Sequence, residues 1–262
     1  MMILEVDGLS VSFGGVRAVD DVSIAVEAGQ VFSIIGPNGS GKTTLFNLIS
    51  GIYTPDHGAI RLAGETVTGL EPHRLARRGL SRTFQNLQIF SRMSVLENVM
   101  VGHHRHEDTG VLADLMHWPS VRRQNAATRE VARAALARVG LADEAARASG
   151  SLSYGALKRL EIARALASDP KLLLLDEPAA GCNPVETQEV DSVIRSLVRD
   201  GITVMLVEHD MRLVMNISDR VHVLARGRTL AEGTPGEVRA NAAVVEAYLG
   251  DHGAREAALA FG

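Results

Sequence analysis

The chain has 262 residues, 27 Lys and Arg against 31 Asp and Glu, a formal net charge of −4, and a hydrophobic fraction of 46%. That charge balance argues against a dedicated nucleic-acid binder, and the length suits one large α/β domain or a core with a subdomain. The single cysteine, Cys182, rules out an internal disulfide, and no apolar run approaches the roughly 18 residues of a membrane span. Glu5 and Asp7 fall where a leader would continue its apolar region, so a reducing, cytoplasmic setting is expected.

Ile3 to Val6 and Val22 to Val26 alternate apolar with polar or small residues, the period of half-buried strands. Between them Phe13 precedes Gly14-Gly15 on an expected loop, where its ring either stacks on a purine base or fills the core. Val31 to Ile35 then reads as a strand and Leu45 to Ile49 as a helix, joined by Gly36-Pro37-Asn38-Gly39-Ser40-Gly41-Lys42-Thr43-Thr44. This is G-x-x-x-x-G-K-[ST] in strand–loop–helix context, the arrangement that points backbone N–H groups and a helix N-terminus at phosphate. Gly36, Asn38, Gly39, Ser40, Gly41, Lys42, Thr43 and Thr44 are therefore the expected phosphate-binding set, with Lys42 reaching the β- and γ-phosphates and the Thr43 hydroxyl a Mg²⁺ ligand. Gly51 and Pro55 to Gly58 signal a turn, Ala59 to Leu62 another strand, and Glu71 to Arg78 a short surface helix.

From Val95 to Ala167 the pattern is helical, and Arg129 to Val139 places Val131, Ala135 and Val139 on one face before Gly140 closes the helix. His103 to Asp108 is too contiguous for a metal site and reads as a solvated loop. Val111 to Pro119, with the only tryptophan, Trp118, followed by Arg122 and Arg123, either packs within this helical region or docks on a partner near a membrane. The α/β alternation resumes at Leu172 to Leu175, a strand expected to be buried on both faces, which ends in Asp176 and Glu177. Placing two carboxylates there is costly unless they serve the chemistry, with Asp176 holding Mg²⁺ and Glu177 polarising an attacking water. Helix Pro184 to Arg199 buries Val190, Val193, Ile194 and Leu197, and strand Ile202 to Val207 delivers His209 to the same edge as a γ-phosphate contact. A hairpin over Val221 to Ala231 and a capping box at Thr234 to Glu237 complete the pattern.

Leu152 to Leu166, with its Ser153-Tyr154-Gly155 turn opening a helix, resembles the signature segment of the ATP-binding-cassette (ABC) ATPases, and the resemblance extends over nearly the whole chain. It implies a RecA-like P-loop NTPase core with an antiparallel β portion and an inserted α-helical subdomain. The implied division is a core over 1–86 and 168–250, a helical subdomain over 87–167 and a tail over 251–262. By resemblance Phe13 is the adenine-stacking aromatic, Gln85 the Q-loop glutamine at the metal and water, Glu177 the catalytic base and His209 the switch histidine. Ala180 to Asn183 resembles the D-loop. Ser153 and Gly155 are implied to reach the ATP held by a second cassette, paired head-to-tail, that is either a copy or a paralogue.

Tyr154, Ala156, Cys182 and Asn183 depart from the commonest family residues, and Tyr154-Gly155 is similar to the ATPases of branched-chain amino acid importers. Arg82 to Gln85, Glu208 to Met215 and Ala247 to Gly250 are similar to the same group. The resemblance implies a cytoplasmic ATPase, peripheral on the inner face of the membrane, with ATP and Mg²⁺ as cofactors. It further implies that this ATPase powers integral membrane permeases and meets a periplasmic or extracellular binding protein only indirectly. Urea or amide import, lipopolysaccharide export and a soluble non-transport ABC ATPase are the rival readings.

Overall fold

The structure, a computed structural model, describes residues 1–104 and 119–252, with only the backbone described at 119–123 and 249–252. Strands β1 (Met2–Phe13) and β2 (Val16–Glu27) form a long antiparallel hairpin, and β4 (His57–Leu62) and β5 (Glu65–Thr66) extend it across β1. A second sheet contains β3 (Val31–Ile35), β6 (Leu80–Arg82), β7 (Leu172–Asp176), β8 (Thr203–Val207), β9 (Arg220–Ala225) and β10 (Arg228–Gly233). Its order is β10-β9-β3-β8-β7-β6, parallel except where β10 returns antiparallel to β9.

The three central strands have no solvated face. Because successive side chains point to opposite sides, Leu173, Leu175, Val204 and Leu206 enter a core shared with the helices, while Leu172, Leu174, Met205 and Val207 enter one shared with the antiparallel sheet. Helix α1 (Lys42–Ile49) inserts Leu45, Phe46, Leu48 and Ile49 into the second core. This sandwiching explains why four leucines in a row form one strand.

After the short α2 (Pro72–Arg77), the helical region runs through α3 (Val95–His103), α4 (Pro119–Arg138) and α5 (Tyr154–Leu166), packed through Val99, Leu136 and Leu160. Ser94 and Glu97 form a capping box at α3. Helix α6 (Pro184–Arg199) has proline in its first turn, a capping box from Asn183 and Glu186, and a buried face of Val190, Val193, Ile194 and Leu197. Helices α7 (Met211–Ile217), α8 (Pro235–Ala240) and α9 (Ala242–His252) follow, with the Thr234–Glu237 capping box at α8. No helix among the described residues is long and apolar enough to cross a membrane.

One expectation is corrected in α4. Its buried stripe is Thr128, Ala132, Ala135 and Leu136, continued by Val139 just past its end, whereas Val131 is 36% exposed. At about 100° per residue Val131 falls on the edge of that stripe, and the helices packed on α4 select its neighbour Ala132. Leu136→Ala should therefore cost about 2–5 kcal/mol in denaturant unfolding, and Val131→Ala less than about 1 kcal/mol. Equal costs would contradict this packing.

Candidate active site

Backbone approach, more than side chains, builds the phosphate loop. A Cβ on Gly36 would lie 2.0 Å from the Leu224 carbonyl oxygen, and one on Gly41 would lie 2.5 Å from that of Ala18. The loop is thus pressed between β2 and the β9–β10 turn, where the Gly227 N–H donates to Ser40 O at 2.9 Å and the Asp20 N–H to Gly227 O at 2.8 Å. Gly41 caps α1 without a side-chain bond, which leaves first-turn N–H groups facing the loop, and Ser40 Oγ is buried with no partner among the described residues. Lys42 Nζ turns into the loop, donating to Gly36 O at 2.6 Å and Pro37 O at 3.0 Å. Burial lowers its pKa, and the charge of Glu177 opposes that shift. A glycine cradle with uncapped donors, an orphan hydroxyl and a half-buried lysine matches a polyphosphate. Asn38, Gly39 and Thr43 are exposed on this loop and Thr44 is half-buried.

Strand β7 carries Asp176 to the same edge. Its carboxylate is buried and accepts from Arg82 Nη2 at 2.8 Å, while its N–H donates to Thr83 Oγ1 at 3.3 Å. Glu177 follows with φ 49°, an unusual conformation for a residue with a side chain. It is pinned there because its N–H donates to Val207 O at 2.9 Å and its carbonyl accepts from Lys158 Nζ at 3.2 Å. Gln85 Nε2 donates to Glu177 Oε2 at 3.0 Å, and His209 Nδ1 stands 3.8 Å from Glu177 Oε1. Gln85, Glu177 and His209 therefore converge. Asp176, Thr43 and Gln85 offer oxygen ligands, the donor type that a hard cation such as Mg²⁺ takes.

Ser153 caps α5, its Oγ accepting from the Ala156 N–H at 3.3 Å, and the Gly155 N–H donates to Glu186 Oε1 at 3.0 Å. The hydrogen bonds of the signature turn thus go to α5 and α6, not to the phosphate loop of the same chain. Backbone hydrogen bonds, from Asn183 first and from Gly155 next, hold the Glu186 carboxyl below its usual range.

Phe13 ends strand β1 and does not lie on a loop. Its ring is 45% exposed and meets Tyr53 edge to face at 5.2 Å and 63°, which removes the core-filling reading. His103 lies in α3, while 105–108 and 111–118, with Trp118, lie outside the described residues. No group of three or more His, Cys, Asp or Glu side chains placed to hold a metal ion occurs among the described residues.

Residue-by-residue sequence reading missed two buried contacts. Arg82 pairs with Asp176; only its place three residues before Gln85 marked it. Glu208 is 1% exposed and accepts from the N–H groups of Ala179 at 3.0 Å and His209 at 3.1 Å, tying the turn after Glu177 to the histidine turn. Burial pushes its pKa up.

A glycine cradle at the end of one parallel strand, with a buried carboxylate and a pinned glutamate at the end of another, defines a phosphate-loop nucleotide hydrolase. The chain belongs to the ABC transporter family, whose profile matches residues 19–180, and a branched-chain amino acid ATP-binding cassette transporter profile matches residues 228–254. It is 49% identical to the high-affinity branched-chain amino acid transport ATP-binding protein BraF of Pseudomonas aeruginosa, over 95% of this chain and 98% of that protein. Identity to the corresponding protein LivG of Escherichia coli is 44%, with the same coverage. The crystal structure of the ADP conformation of an ATP-binding cassette of an ABC transporter superimposes with a TM-score of 0.83 at 34% identity, covering 96% of this chain and 100% of the other.

Lys42→Ala should abolish ATP turnover. Phe13→Ala should weaken ATP binding by about 1–3 kcal/mol, the range for a lost base–aromatic stack, with saturated turnover retained. Unchanged affinity in calorimetric titration would remove Phe13 from the base site.

Proposed function

We propose that this chain is the ATP-hydrolysing subunit of an ABC importer for branched-chain amino acids, working at the inner face of the membrane on separate permeases. The observation that carries the enzymatic part is the convergence of Gln85, Glu177 and His209 at the strand edge that also carries the Lys42 loop. Residues 1–86 and 168–250 are read as the nucleotide core, and 87–167 as the helical subdomain.

In this reading Phe13 stacks on adenine, and the loop N–H groups from Gly36 to Thr44 hold the phosphates while Lys42 balances their charge. Gln85 fixes the Glu177 carboxylate, which takes a proton from water as the water oxygen attacks the γ-phosphorus and the bond to ADP breaks. His209 contacts the γ-phosphate and steadies Glu177 from the other side. Thr43, Asp176 and Gln85 would hold Mg²⁺, which would supply neutralisation of the phosphate charge.

A second cassette completes the site. Ser153 and Gly155 form a turn that already binds a carboxylate, and they are read as the donors that meet the γ-phosphate on a partner cassette, either a copy or a paralogue. The cargo assignment follows the C-terminal profile match and the BraF and LivG relatives, and the amino acid itself does not touch this subunit.

The permeases are assigned a docking place as well. A groove of about 470 Å³ is walled by Ile52, Phe84, Phe90 and Val101, which are 43%, 45%, 50% and 42% exposed. Exposed aromatic side chains gathered in one concavity suit an inserted apolar segment of a partner. Phe90→Ser combined with Ile52→Ser should abolish co-purification with the permeases and leave ATP turnover of the isolated subunit within about two-fold, since neither side chain faces the phosphate site. Undiminished co-purification would move the docking surface elsewhere.

A further inference from the structure

Arg82 lies between the groove and the carboxylates. Its Nη2 donates to Asp176 Oδ2 at 2.8 Å, and its Nη1 donates to Asn47 Oδ1 at 2.7 Å and Ser50 Oγ at 2.6 Å at the end of α1. The guanidinium carbon is 5.5 Å from the ring centroids of both Phe46 and Phe84. The Arg82 and Asp176 side chains are 8% and 5% exposed, so the two charges are held together with little water to replace either partner. Three residues on, Gln85 binds Glu177, and between them the Thr83 N–H donates to Leu174 O at 2.9 Å. One short segment therefore grips the last turn of β7 and both of its carboxylates.

We propose that Arg82 is a positioning residue for Asp176, an inference that rests on the reading above of Asp176 as a Mg²⁺ ligand. The Phe46 and Phe84 rings beside the guanidinium add to its clamp. With Oδ2 committed to Arg82, Asp176 presents Oδ1 in one fixed direction, which is the requirement of a cation that tolerates little departure from octahedral geometry. A lysine at this position carries the charge but lacks the planar fork that spans Asp176, Asn47 and Ser50. The charge and the aim are therefore separable.

The test uses the isolated full chain with Glu177→Gln, which suppresses turnover. Thermal unfolding is followed for the free protein, with ATP and chelator, and with ATP and Mg²⁺. Arg82→Lys should leave the first two midpoints close to those of the parent, while the Mg²⁺ concentration giving half of the additional metal-dependent shift rises on the order of ten-fold, as for outer partners of metal ligands. In the chain with Glu177 intact, Arg82→Lys should lower kcat on the order of ten-fold with the KM for ATP within about two-fold, the split expected when aim but not binding is lost. An unchanged Mg²⁺ midpoint together with unchanged kcat would reduce Arg82 to a charge neutraliser and overturn the proposal. If Arg82→Lys does not fold, Asn47→Ala with Ser50→Ala unties Nη1 while keeping the Asp176 pair, and a rise of about three-fold in the same Mg²⁺ midpoint is expected, less than for a lost outer partner. No rise there overturns the proposal too. A parent chain with no Mg²⁺-dependent shift would fail the metal reading itself, an outcome distinct from an Arg82→Lys chain that shifts as its parent does.

Discussion

A carboxylate at the end of a strand with no wet face is the constraint on which this structure turns. Asp176 follows four leucines that are fully buried, and a charge in that position is tolerated only when paired. The parallel sheet supplies the partners. In register, Ile34 lies beside Val207 and Val207 beside Asp176, so the chain leaving β3, β8 and β7 emerges in one row. The phosphate loop, the Glu208-His209 turn and the Asp176-Glu177 pair are neighbours for that reason, although 140 positions separate Gly36 from Asp176. On the far side of β7, strand β6 ends with Arg82 beside Leu174, and the chain leaving it carries Gln85 to Glu177.

Rigidity on that edge comes from hydrogen bonds to the main chain. The phosphate loop is set by contacts that leave no room for a side chain at Gly36 or Gly41, and Glu177 is kept in a left-handed conformation by bonds from β8 and Lys158. Glu208 joins the turns that carry Ala179 and His209. In the signature turn, by contrast, the Gly155 N–H donates to Glu186 and Ser153 Oγ accepts from the Ala156 N–H.

Local chemistry was legible in the sequence. The phosphate loop, helix Pro184–Arg199 with its inner face, and the Thr234–Glu237 capping box depend on residues a few positions apart, and the structure has each. The buried run before Asp176 was legible because no half-wet strand carries four leucines together. Where burial depends on a distant element, periodicity was insufficient: Val131 yields to Ala132 because of what packs on α4, and Phe13 is exposed because β1 outlasts the core beneath it. The Arg82–Asp176 pair spans 94 positions and is set by the neighbouring of β6 and β7, which no local pattern encodes. Glu208 was assigned no role from the sequence, and its burial and hydrogen bonds show it to be a brace.

The central claim is that ATP holds two cassettes together through Ser153 and Gly155 of one and the phosphate loop of the other. Sizing of Glu177→Gln, which keeps the side chain's shape but slows water attack by about 10²–10⁴-fold, tests it most directly. The account predicts a dimer with Mg-ATP, a monomer without it, and loss of the dimer when Ser153→Arg is added while ATP binding persists. The partner is a second copy or the transporter's other cassette, and both pairings are measured. A Glu177→Gln chain that binds ATP yet stays monomeric in both pairings contradicts the mechanism.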